Sequence, residues 1–120
     1  MLSYWSRYPA QYDECLSIAA VSKREGLPVA PFSSSNVGVD HAGIGVDVIS
    51  FKPEGGYQGM SGTSMACPHA CGFIAALLSG SVKPKQIREK LKEYSIDIGI
   101  PGPDKSTGLV SDKCYFLSSI

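Results

Sequence analysis

A proline inside the most helix-prone stretch of this chain limits where that helix can begin. Residues 64–78 read Ser-Met-Ala-Cys-Pro-His-Ala-Cys-Gly-Phe-Ile-Ala-Ala-Leu-Leu, rich in alanine and leucine, and the run closes at Ser79-Gly80. Proline has no backbone N–H and is accepted only near the first turn, where N–H groups lack intrahelical acceptors anyway. Pro68 therefore sets the helix start close to Ser64. The helix is apolar enough to be buried, and a serine stands at its mouth.

The remaining pattern fits around that helix as an α/β arrangement. Tyr8-Pro9-Ala10 opens a turn, and residues 15–21 (Cys-Leu-Ser-Ile-Ala-Ala-Val) form an apolar run of strand length. Residues 23–26 are charged and end in glycine, which predicts a surface turn before an extended piece at residues 29–33 and a loop at residues 33–36. Residues 45–50 (Gly-Val-Asp-Val-Ile-Ser) predict a second strand, followed by a glycine-rich loop after Pro53. A helix starting at Pro84 carries Ile87, Leu91 and Tyr94 on one face and charges on the other. Residues 99–108 are rich in glycine and proline, and the apolar finish at residues 109–117 reads as one or two edge strands. No internal repeat is visible, and 120 residues with 43% hydrophobic content fit one domain spanning residues 1–120.

Charge points to no partner. Eleven basic and eleven acidic residues cancel, so no net field draws the chain to nucleic acid or to an anionic membrane. The longest apolar stretch, residues 73–78, is far shorter than the ~20 residues that span a bilayer. The first residues, Met-Leu-Ser-Tyr-Trp-Ser-Arg, lack the layout of a secretory signal, and compartment stays open. Four cysteines allow three pairings or free thiols. Cys67, His69 and Cys71 do not read as a metal site, because on a helix residue 69 points about 200° away from the face shared by residues 67 and 71. Packed small thiols are the expectation there.

A nucleophilic serine needs an exposed hydroxyl and nearby N–H donors for the negative charge of a tetrahedral intermediate. Ser61-Gly62-Thr63-Ser64 supplies a glycine where substrate backbone must come close, followed by the free N–H groups of a helix start. Taken alone, a serine before a helix is more often an N-cap. The longer string, residues 61–69 (Ser-Gly-Thr-Ser-Met-Ala-Cys-Pro-His), closely resembles the serine motif of the subtilisin-like proteases, Gly-Thr-Ser-Met-Ala-x-Pro-His. Tyr8-Pro9-Ala10-x-Tyr12-Asp13 is similar to that family's approach to a core strand, and Phe32-Ser33-Ser34-Ser35 followed by Asp40 to its next strand entry. Pro84 to Leu91 is similar to its late helix, and Thr107-Gly108-Leu109-Val110 to a strand near its end, with threonine replacing the first glycine. The resemblance covers most of residues 8–110.

What the resemblance implies is a partial subtilisin-like fold, mostly parallel strands with a buried helix after the nucleophile. It makes Ser64 the catalytic nucleophile and its backbone N–H one oxyanion donor. It places Met60, Ser61, Gly62 and Thr63 along the substrate's leaving-group side and Tyr8 and Pro9 near the primary specificity pocket. It implies no cofactor for the chemistry. It also implies a cis bond before Pro9 and a loop whose Ala10, Tyr12 and Cys15 carbonyls bind a structural cation.

The general base is not visible. His69 follows Ser64 by five residues, about 140° net around a helix, and is expected to make a structural hydrogen bond in the core. Asp40-His41 precedes Ser64 in the right order, but adjacent strand residues point to opposite faces, whereas a base and its orienting carboxylate must touch. Asp13 and Asp47 flank strands and read as turn or surface residues. Also absent is the Ala-Ala-Gly-Asn segment carrying the family's side-chain oxyanion donor. Loss of that donor costs ~10²–10³ in rate, a figure known from subtilisin itself. The expectation is a C-terminal portion of a serine endopeptidase acting on peptides or proteins, its Asp/His half supplied by an N-terminal segment, a partner chain or a second copy. The other readings are a non-catalytic scaffold or interaction module that keeps the serine loop, and a gene fragment with no role of its own.

Overall fold

The computed structural model describes residues 8–33, 39–97 and 115–117. Two parallel strands, β1 (Ile18–Val21) and β2 (His41–Ile44), pair from Ile18↔His41 to Val21↔Ile44. Two further strands, β5 (Ser95–Asp97) and β6 (Tyr115–Leu117), complete a four-stranded sheet in the order β1-β2-β6-β5. Strand β6 runs parallel to β2 and antiparallel to β5. The final apolar segment is therefore an interior strand, not the edge strand its position near the chain end suggested. The edge is β5, which sequence reading missed because it follows Tyr94 directly and is only three residues long.

Strand β1 is shorter than the predicted 15–21. Its first residues are held by other partners: the Cys15 carbonyl accepts from Arg88 and the Ser17 carbonyl from the Asp40 and His41 N–H groups. The predicted strand at residues 45–50 splits. Its first half becomes a turn in which Asp47 takes a positive φ of 51°, and only Val48–Phe51 is extended, as β3. Strand β3 pairs antiparallel with β4 (Tyr57–Met60) in a separate two-stranded hairpin. The stretch after Val29 is a turn, with the Ser33 N–H on the Ala30 carbonyl, and Val29 itself forms a single antiparallel bridge to Val21. The expected loop at residues 34–36 and the segment at residues 107–110 lie outside the described residues.

Helix α1 (Thr63–Ser79) packs across β1 and β2, burying Ala66 and Ala70. Its opposite face, with Ser64, Cys67, Cys71 and Gly72, is exposed. Helix α1 begins one residue before Ser64, so Pro68 is its sixth residue and lies in the second turn. It cannot donate to the Ser64 carbonyl, as an ordinary residue at that position would. A short 3₁₀ turn (Pro84–Gln86) leads into helix α2 (Ile87–Glu93). Leu91 is fully buried, and Ile87 and Ala70 join it in a cluster that also takes in Leu16, Phe73 and Leu77. The Ser95 hydroxyl closes the end of α2 by donating to the Leu91 carbonyl. Tyr94 is half exposed, and its ring meets Phe73 edge-on at a centroid distance of 6.1 Å.

Two buried alanine-rich clusters lie on opposite faces of the sheet, Ala19, Val21, Val39 and Ala42 on one and Ala20, Ala30 and the α1 residue Ala66 on the other, between sheet and helix. Small side chains let the α1 backbone lie directly on β2. A Cβ at Gly43 would stand 2.6 Å from the Ala66 carbonyl oxygen, and one at Gly45 would stand 2.7 Å from both Ala20 Cβ and the Gly62 oxygen. Only glycine fits at these close approaches. They bring the end of β2 against the beginning of α1, which is where the serine stands.

Candidate active site

The loop before α1 is fixed at two points. The Gly62 N–H donates to the Gly45 carbonyl at 2.7 Å, and the Asp47 N–H donates to Ser61 Oγ at 2.9 Å. Gly62 is extended, and its carbonyl accepts from Met65 at 3.0 Å and Ala66 at 3.4 Å, which starts the helix. Ser64 follows as the second helical residue. Its side chain is exposed, and its N–H has no acceptor among the described residues. Ser64 is thus no N-cap, the commonest alternative role for a serine here, because the capping position is Gly62 and no side chain caps the helix. An exposed hydroxyl beside an unused N–H at a positive helix end can hold developing negative charge on a bound carbonyl.

No general base reaches that hydroxyl among the described residues. His69 is exposed, not in the core as expected, and its Nδ1 lies 3.0 Å from the Met65 carbonyl one turn back on the same helix. The helix face that carries it is exposed, and the expected hydrogen bond forms locally. His41 is 3% exposed and lies within β2. Asp40 is not turned toward it: one carboxylate oxygen accepts from Arg88 Nη1 at 3.0 Å and the other from the Ser17 N–H at 2.8 Å. The Asp40-His41 pair is therefore no base-orienting couple, as strand alternation predicted.

The other predicted site residues fall into two groups. Met60, Ser61, Gly62 and Thr63 run continuously from the end of β4 into α1, so they adjoin Ser64 through the chain itself, with Met60, Ser61 and Thr63 exposed. Tyr8 and Pro9 lie in the turn that precedes β1. The Tyr8–Pro9 bond is cis, the Pro9 carbonyl accepts from the Tyr12 N–H at 3.0 Å, and the Tyr8 ring rests on Tyr12 at 5.0 Å. No hydrogen bond or ring contact among the described residues joins them to the Ser64 loop.

Sequence reading missed Arg88. From α2 it donates Nη2 to the Asp13 and Cys15 carbonyls, each at 2.7 Å, while Nη1 pairs with Asp40 at 3.0 Å. One guanidinium thus ties α2, the turn before β1 and the entry to β2. Its sequence setting, a charged position on the wet face of an amphipathic helix, carried no sign of this. The same contact bears on the expected cation loop. The Tyr12 carbonyl already accepts from the Cys15 N–H at 2.9 Å, and the Cys15 carbonyl holds the guanidinium. A cation placed against that oxygen would meet a fixed positive charge, so the carbonyls of Ala10, Tyr12 and Cys15 do not fit a cation beside Arg88.

The cysteines also depart from expectation. Cys67 and Cys71 are exposed, not packed, and are free thiols, as is the half-buried Cys15. Partial desolvation, and then the neighbouring Cys71, push the Cys67 thiol above its ordinary pKa. No group of three histidine, cysteine or acidic side chains suited to a metal is found among the described residues. No helix among them is long and apolar enough to cross a membrane.

Comparison with known proteins bears on the serine loop and the sheet together. Residues 3–110 match the Subtilase family. Subtilisin-like protease 6 of Trichophyton verrucosum is 38% identical over 104 residues, covering 85% of this chain and 25% of the relative. Subtilisin DY of Bacillus licheniformis is 34% identical over 94 residues, covering 77% of this chain and 34% of the relative. The crystal structure of fervidolysin from Fervidobacterium pennivorans, a keratinolytic enzyme related to subtilisin, superimposes with a TM-score of 0.72 at 33% identity over 88% of this chain and 19% of that one. The chain spans a quarter to a third of the length of these curated relatives. With the family matched across nearly the whole chain and the α/β topology shared with a solved relative, this chain belongs to the subtilase family.

Proposed function

We propose that this chain carries the nucleophile of a subtilisin-like serine endopeptidase whose aspartate and histidine come from another polypeptide segment. The observation that supports it is the exposed Ser64 hydroxyl at the mouth of α1, beside a backbone N–H with no acceptor among the described residues. In this reading Ser64 Oγ attacks a peptide carbonyl carbon as its proton passes to the supplied imidazole. The carbonyl oxygen becomes an oxyanion beside the Ser64 N–H. The C–N bond then breaks, the imidazolium protonates the departing amine, and water hydrolyses the Ser64 ester.

Met60, Ser61, Gly62 and Thr63 line the leaving-group side of the bound peptide, and Tyr8 and Pro9 contribute to the primary specificity pocket. The supplier of the base is an N-terminal half, a partner chain or a second copy. The exposed apolar side chains Ile49, Phe51, Tyr57 and Met60 favour such an association, because apolar surface left in water is unfavourable.

A fluorophosphonate that esterifies active serines tests this. Ser64 is expected to label only after a subtilase N-terminal half is added, with peptide cleavage appearing at the same time and both signals lost in Ser64→Ala. No labelling with any added half, although a complex forms, would sink the protease reading. That outcome leaves the non-catalytic scaffold, which the lack of a base near Ser64 among the described residues also favours for the chain by itself.

A further inference from the structure

The turn before β1 is held by backbone oxygens, and one charged group from far along the chain collects them. The Pro9 carbonyl accepts from the Tyr12 N–H and the Tyr12 carbonyl from the Cys15 N–H, which closes residues 9–15 into two consecutive turns. The carbonyls of Asp13 and Cys15 converge on one atom, Arg88 Nη2, each at 2.7 Å. Asp40 Oδ1 accepts from Nη1 of the same guanidinium at 3.0 Å, while its Oδ2 is fixed by the Ser17 N–H at 2.8 Å. Two carbonyls and a carboxylate gathered around one point are the surroundings that a hard metal ion takes. Here the positive centre is a side chain, 73 and 75 positions away from the turn and 48 from Asp40. The clip is open to water, with the Arg88 side chain 48% and the Asp40 side chain 31% exposed. Dissolved ions can therefore reach these oxygens, and what excludes them is charge and occupancy, not burial. A guanidinium keeps its proton at any pH a folded protein meets, and its planar fork bonds all three acceptors at once.

We propose that Arg88 is a covalent substitute for a bound cation: it supplies the positive charge that orders the turn at residues 8–15 and so makes that turn independent of free metal ions. Of the carbonyls expected to hold an ion, that of Cys15 serves the guanidinium and that of Tyr12 closes a turn. Because the charge is tethered to α2, neither dilution nor a chelator can remove it. Taking the guanidinium away uncovers the Asp13 and Cys15 oxygens and leaves the Asp40 carboxylate without its cation, which turns a cation-indifferent turn into a cation-dependent one. The same turn carries Tyr8 and Pro9, so Arg88 is a positioning residue for the specificity pocket. That consequence rests on the protease reading, whereas the substitution of side chain for ion does not.

Chymotrypsin cleavage after the exposed Tyr12, followed by mass spectrometry on the full chain, reads the order of the turn without relying on peptidase activity. Each rate is taken relative to that of a small chymotrypsin substrate in the same buffer. Millimolar Ca²⁺ is compared with a chelator and with tetramethylammonium chloride at equal ionic strength, an ion that screens charge but is too large for the oxygens. The parent chain is expected to be cut at one rate in all three. Arg88→Ala should be cut about tenfold faster in chelator, and Ca²⁺ but not tetramethylammonium should slow it about threefold. Arg88→Lys, which keeps the charge but not the fork, should fall between the two and ignore Ca²⁺. If circular dichroism shows Arg88→Ala folding only with Ca²⁺, the proposal is equally supported. A parent chain protected by Ca²⁺, an Arg88→Ala chain that Ca²⁺ neither protects nor folds, or an Arg88→Lys chain that needs Ca²⁺ would each overturn it. None of these outcomes involves Ser64, so failure here leaves the protease reading standing, and failure of serine labelling leaves this proposal standing.

Discussion

The sheet–helix layer and the β3–β4 hairpin meet at the serine loop, yet they are built by opposite rules. Under α1 the residues are small and buried, and Ala20 and Ala66 are fully enclosed. The hairpin has large side chains and encloses almost nothing, with Phe51 76% exposed. Small residues allow backbone to touch backbone, so the layer fixes the position of Ser64. Large exposed residues make a surface that waits for a neighbour, and the hairpin is held mainly by its own ladder and the Phe51–Tyr57 ring contact at 4.9 Å. The serine is thus anchored from the sheet side and open on the other.

Mutations in the two regions should differ accordingly. The largest effect is expected for Leu91→Ala, which empties a fully enclosed position where α2 meets α1 and should cost about 2–5 kcal/mol in urea unfolding. Gly45→Ala comes next. Its new methyl would meet Ala20 Cβ and the Gly62 oxygen, and the strain should lower stability by about 1–3 kcal/mol. If Gly45→Ala proved neutral, the claim that the layer fixes the serine loop would be lost. Arg88→Met removes the clip between α2 and the turn before β1, and a loss of about 1–2 kcal/mol is expected, with faster proteolysis near residues 8–15. Phe51→Ala, in the hairpin, should change stability by no more than about 1 kcal/mol, since it forfeits one ring contact and little burial.

The smallest effect concerns pH. A thiol whose pKa is raised on folding stabilises the fold while pH is below the ordinary thiol value of 9.0, and that contribution disappears as pH rises through the folded value. Melting of the wild-type chain should therefore fall slightly more steeply than that of Cys67→Ser across the alkaline range above pH 9.0. Parallel melting curves would break the link.

Much of this was legible in the residues. The Ala/Leu run, its end at Ser79-Gly80 and the amphipathic Ile87/Leu91 face are short-range patterns, and the helices follow them. The serine motif placed Ser64 at a helix mouth before any contact was known. What sequence hid depends on distant partners. Strand β1 lost its first residues to Arg88 and to the entry of β2, more than twenty positions away. Strand β6 became interior only because β5 formed outside it. His69 and the two thiols were expected to pack because an apolar helix usually has cover on both sides, and here one side is exposed, with no described residue shown to cover it.

The turn after Val29 has a consequence for assembly. The odd-numbered carbonyls of Ser17, just before β1, and of Val21 bond toward β2 and its flanks, so the even-numbered residues of β1 turn their backbone groups outward. At Ala20 that outward side is already taken, with its carbonyl accepting from Ala30 and its N–H donating to Ser33 Oγ, and the Ser22 N–H is taken by Pro28. A newcomer that extends the sheet can therefore zip along β1 only up to Ile18 and must then peel away. The length of that landing strip fixes the register of any complementing strand, and it keeps the rest of the rim from recruiting strands at random.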